Sequence, residues 1–137
     1  MSEPQPEPLG DGRWRLAAER GLGSVTERAS VVVRGQADEP PSAEHARLAG
    51  ARAWLSVSQR LLDTGAVEDA LTGARSGIAE LGDAYAGDDV DDDTELKALA
   101  AEDELANGDR SVATTLLLRV LESRAQLYAE AHPGIEA

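Results

Sequence analysis

The sequence predicts an all-α fold of antiparallel helical hairpins, stacked as a short solenoid or a compact bundle, and three observations predict it. Alanine and leucine dominate while aromatic residues make up only 3% of the chain, and both dominant residues lose little freedom on entering a helix. From residue 42 onward the apolar residues recur at intervals of three and four, the period of one helix face. Glycine or Asn-Gly interrupts these stretches where short turns between helices belong.

Residues 1–12 carry Pro4, Pro6 and Pro8 among glycines and acids. So little apolar surface does not offset ordering entropy, and the segment reads as a flexible tail. Residues 13–41 read as an N-terminal helical cap and a proline linker. Trp14, Leu16, Ala17 and Ala18 suit one short helix, Gly21 and Gly23 break it, and Ser24 followed by Glu27 has the spacing of a capping box for a second. The run Val31 to Val33 also suits a strand, because β-branched residues are stiff in helices. One isolated strand would have nothing to pair with, so helix is the reading taken.

Pro40 and Pro41 separate this section from a helical domain over residues 42–134. A helix starts at Ser42 and carries Leu48, Ala51, Leu55, Ser58 and Leu62 on one face, with Trp54 and Leu61 widening it. Gly65 ends it, and a second helix runs from Val67 to Tyr85 through Ala70, Leu71, Ala74, Ile78 and Leu81. So short a turn makes the two antiparallel neighbours. Six acids in the eight residues from Asp88 to Glu95 repel one another and read as a solvated loop. Leu96, Leu99, Ala100 and Leu105 then form a third helix ending at Asn107-Gly108. The fourth holds Val112, Leu116, Leu117, Val120, Leu121, Ala125 and Tyr128 and stops before His132-Pro133.

The two helical pairs superpose at one fixed offset: Leu62 on Leu105, Gly65 on Gly108, Ala70 on Ala113, Ile78 on Leu121 and Tyr85 on Tyr128. With Trp54, Val57, Ser58, Gly65, Ala70 and Gly77 at the matching places, the first pair resembles the tetratricopeptide repeat. The second keeps Ala101, Gly108 and Ala113, and His132-Pro133 looks like the closing step of the longer kinesin-light-chain repeats. The resemblance implies a groove lined by the first helix of each pair. Carried onto this sequence, its partner-binding positions are Arg52, Leu55, Gln59 and Leu62, then Glu95, Ala98, Glu102 and Leu105. Leu55 and Gln59 stand where the family's carboxylate clamp has lysine and asparagine, which tells against binding of a chaperone's C-terminal tail, and the acids point to a basic or mixed ligand.

Charge and missing residue types narrow the function. There are 26 acids against 13 basic residues, a net charge of -13, and no cysteine. Duplex nucleic acid and anionic membranes are thereby disfavoured, and thiolate chemistry is excluded. No catalytic constellation assembles. Gly73 to Gly77 is not a nucleophile elbow, and Glu102, Asp103 and Glu104 point in different directions on a helix. Asp89, Asp91 and Asp93 follow the first ligands of a calcium loop, but Thr94 and Ala100 replace its glycine and closing glutamate. His45 and His132 lack a carboxylate at metal-binding spacing.

The expectation is a cytoplasmic, bacterial-like, non-enzymatic adaptor, with no cofactor or metal, that binds a protein or peptide partner. The alternative is an acidic antagonist, a DNA mimic or immunity-type protein, that occupies a basic surface of its partner. Surplus apolar residues on the fourth helix, Leu118 among them, suggest a homodimer.

Overall fold

The computed structural model describes residues 6–34, 43–82, 92–131 and 134–136. It is not all-α. Three antiparallel strands, β1 (Glu7–Gly10), β2 (Arg13–Leu22) and β3 (Val25–Arg34), precede four helices, α1 (Ala43–Asp63), α2 (Val67–Leu81), α3 (Asp92–Asn107) and α4 (Arg110–Ala131). A two-residue strand, β4 (Ile135–Glu136), returns to the far edge of β3, so the sheet order is β1-β2-β3-β4.

The helical reading of residues 13–34 fails because the partner strand is the adjacent segment. Leu22 pairs with Val25, and the register holds to Arg13 opposite Arg34, so Gly23-Ser24 is a two-residue hairpin turn. Gly23 takes φ +63° and Ser24 does not enter positive φ, the pattern of a turn that starts on glycine and matches the strand twist. Leu16, Ala18, Val31 and Val33 then fall on one face and are buried, while Arg15, Glu19, Arg28 and Ser30 face solvent. β1 takes Glu7–Gly10 out of the expected tail by pairing with Arg13 to Arg15.

The buried sheet face lies on α1. Leu16, Ala18, Val31 and Val33 share one cluster with Leu48, Ala49 and Ala51 of α1 and with Leu121, Ala125 and Tyr128 of α4. Helix α4 packs on α1, α2 and α3 alike, whereas the substantial packing of α3 is on α4 alone. That breadth absorbs the leucine run. Leu117, Leu118, Val120 and Leu121 are all buried within the chain, with Leu118 at 6% exposure, while Leu116 is half-buried.

The two helix turns do not share a conformation. Gly65 adopts φ +85°, its N–H reaching Leu62 O (3.1 Å) while Ala66 N–H reaches Leu61 O (2.9 Å), a left-handed glycine cap. Gly108 stays out of that region, and side chains cap its turn instead: the Glu104 carboxylate accepts from Asp109 N–H (2.9 Å) and Asp109 accepts from Ser111 N–H (2.8 Å). At Gly77 a Cβ would lie 2.7 Å from Leu121 Cδ2 and 3.0 Å from Trp54 Cβ, so the missing side chain lets α2 close on α4 and α1.

Arginine–carboxylate pairs tie the elements together. Arg20 of β2 grips Glu80 of α2 with two nitrogens, in a partly buried site that Gly50 leaves open. Arg60 of α1 meets Glu27 of β3 (2.6 Å), and Arg110 holds Glu68 across the start of α4 and α2. No helix among the described residues is long and apolar enough to cross a membrane.

Candidate functional site

The eight expected groove positions do not line one groove. Arg52 and Leu55 open onto a depression of about 440 Å³ between α1, α4 and Ile135. Ala98, Glu102 and Leu105 open onto another, of about 310 Å³, with Arg75, Ile78 and Ala79 as its opposite wall. Gln59 is exposed, Leu62 is half-buried against two core clusters, and the side chain of Glu95 lies outside the described residues. The expected α3 wall is present, but it faces α2, because α4 is the helix on which both hairpins rest.

The larger depression is lined by Arg52, Glu122 and Glu130 together with Leu55, Ala125 and Ala129. Burial in this apolar setting pushes the Arg52 guanidinium below its usual value.

The second depression has a different character. Leu117 and Val120 of α4 form its floor, with Ile78 and Leu105 rising on either side. The floor rests on a buried cluster of Leu71, Ala74, Ala101, Leu117 and Leu118, so its shape is set by core packing. Arg75 and Arg124 both reach it, against the single acid Glu102. The Nε of Arg124 is buried there without a hydrogen-bond partner among the described residues. Arg75 is exposed at the wall, so its guanidinium is the donor that an incoming carboxylate can reach.

Helix α3 also exposes two leucines. Leu99 is the helix neighbour of Glu102 three residues on, and Leu96 is that of Leu99; they are 63% and 64% exposed. Neither lines the groove: Leu99 stands about a quarter turn and Leu96 nearly half a turn around α3 from the wall of Ala98, Glu102 and Leu105, on the solvent side of the helix.

The described residues contain no group of histidines and carboxylates able to hold a metal ion. The candidate calcium positions Asp89 and Asp91, and the side chain of Asp93, lie outside the described residues, as does His132. Sequence reasoning missed Arg75, Ile78, Val120 and Arg124. The signal that pointed to them was α4 itself, apolar on more than one face and therefore in contact with more than one neighbour.

No protein-family model, curated protein or solved structure matches this chain.

Proposed function

We propose that the protein is a non-enzymatic interaction module that seats an amphipathic partner helix between α2 and α3. The observation that carries this reading is the groove on α4, an apolar floor of Leu117 and Val120 with two arginines against one acid. Such a groove takes a helix whose apolar anchors repeat at three and four residues. A carboxylate on that helix would pair with Arg75. The same proposal sets the module in the cytoplasm, with no cofactor.

An acidic antagonist has less support. A mimic of a phosphate backbone needs free carboxylates in an array, whereas Glu27, Glu68 and Glu80 are each held by an arginine of another element.

The test is selection of helical peptides from a random library on the purified chain, followed by calorimetric titration against two variants. Ala98→Arg fills the groove wall, and Leu99→Glu charges the solvent side of α3 without touching the core. Selected peptides should lose at least about tenfold in affinity on Ala98→Arg, the scale of one lost central contact. Peptides that bind both variants as tightly as the parent would place the interaction elsewhere and refute the reading.

A further inference from the structure

A second surface, away from the groove, is built to pair with an extended chain. β4 covers β3 only at Val32 and Val33, with Arg34 N–H donating to Gly134 O (2.7 Å). Ladder bonds alternate sides along a strand, so the N–H and C=O of Arg34 and Val32 point toward β4. By the same alternation Thr26, Arg28 and Ser30 point their backbone groups past the end of β4. Among the described residues no strand pairs with them. They form a straight edge with no proline and no bulge, the form that accepts an added strand.

The charges around this edge select its occupant. The outward face of the sheet carries Arg13, Arg15, Arg28 and Arg34 against Glu19, with Glu7 of β1 on Arg15 (3.6 Å). In a chain of net charge -13, this face is a basic island. Arg28 stands at the centre of the open edge, across the ladder from Glu19 and between the exposed, neutral Thr26 and Ser30. We propose that the β3 edge from Thr26 to Ser30 binds an extended acidic peptide segment by antiparallel strand addition. Residues hydrogen-bonded to Thr26, Arg28 and Ser30 present their side chains on the arginine side, so that alternate set is acidic. The intervening set lies beside Glu27, Ala29 and Val31 and is apolar.

Two competing arrangements fit less well. A second copy pairing through the same edge about a two-fold axis centred on Arg28 sets the two guanidinium groups opposite each other. Pairing centred nearer Val32 collides with β4. The corresponding open edge of β2 exposes Glu19 at its centre, and Arg20 is turned inward onto Glu80, so it repels the acidic strand.

The probe is a short, end-capped, fluorescein-labelled peptide of alternating valine and glutamate, titrated by fluorescence anisotropy at physiological salt. Saturable binding that falls about tenfold on Arg28→Glu, the scale of a cross-strand charge pair turned repulsive, is the expected result. Ser30→Pro deletes an outward N–H while sparing the β2 ladder and should abolish binding, and Ser30→Ala should not. Circular dichroism checks that each variant folds. N-methylation of the peptide's glutamate amides blocks strand pairing without altering the protein, so its loss of binding tests the mode even where a variant misfolds. Four results would overturn the proposal: no saturable binding, binding indifferent to N-methylation, equal binding of a valine–lysine peptide, or tighter binding of a single-stranded oligonucleotide.

Discussion

Ser58 provides a quantitative test of the packing between α1 and α2. Its side chain is fully buried, and its Oγ has no hydrogen-bond partner. A Cβ placed on Gly73 falls onto that same Oγ but lies 3.5 Å from Ser58 Cβ, an ordinary contact. An unsatisfied buried hydroxyl costs about 1–3 kcal/mol, and alanine is also the better helix former, so Ser58→Ala should stabilise the protein by about 1–2 kcal/mol. For a chain of this size that is a rise of about 3–8 °C in Tm. Gly73→Ala alone sets about 1 kcal/mol of helix propensity against an overpacking cost of about 1–3 kcal/mol, and should be neutral to destabilising. In the double variant the obstacle is gone and both gains remain. The cycle should therefore show about 1–2 kcal/mol of favourable coupling. Urea unfolding followed by circular dichroism at 222 nm measures all four corners, with an unchanged m-value confirming a common unfolded state. A destabilised Ser58→Ala, or single effects that add within about 0.5 kcal/mol, would refute the reasoning.

Other outcomes follow from single features. Leu118→Glu buries a carboxylate in the α4 cluster and should cost about 3–5 kcal/mol, read by urea unfolding; a stable variant would show that Leu118 faces outward. Gly65→Ala should cost about 1–2 kcal/mol because φ +85° is strained for any side chain even with open space around it. Gly108→Ala, at ordinary φ, moves the end of Glu104 and weakens its exposed cap on Asp109 N–H without straining the backbone, and should cost less; equal losses in thermal melts would contradict the difference between the turns. The Arg110 hydrogen bond lowers the Glu68 pKa, so the stabilisation is present above the ordinary carboxylate range and is lost as pH falls below it through the lowered value. Thermal melts of Glu68→Gln should accordingly differ from the parent at neutral pH, converge with it in acid, and differ less in high salt. A difference that persists in acid would argue against the pair.

The helical half of the fold was legible because each helix writes its own period. Leu48, Ala51, Leu55 and Leu62 mark α1, and Gly65 marks its end within two residues of the observed Asp63. The sheet was harder to read because its residues argue against one another. Ala17, Ala18 and Ala29 are helix formers, Val31 to Val33 fill both faces of a strand, and Ser24 with Glu27 imitates a helix cap. Gly23-Ser24 between two equal runs was the deciding sign, since two residues led by glycine are what a hairpin needs. Trp14, Leu16 and Ala18 also alternate with Arg13, Arg15 and Ala17, a period of two that a window tuned to three and four passes over. Ala98, Glu102 and Leu105 were expected in one groove with Arg52, Leu55, Gln59 and Leu62, whereas they share a depression with Arg75, Ile78 and Ala79 of α2. Which helices touch is settled by the volume of side chains on α4, a non-local property that no single period records.

Because α3 leans on α4 and little else, it is the piece of this molecule that can come away first. Its amides should exchange with solvent through a local opening well below the global unfolding free energy, while those near Leu121 and Tyr128 wait for the whole molecule to unfold. A ligand seated between α2 and α3 must close that opening, so the slowing of deuterium uptake along α3 measures occupancy directly. It does so without a label and for any ligand the groove accepts.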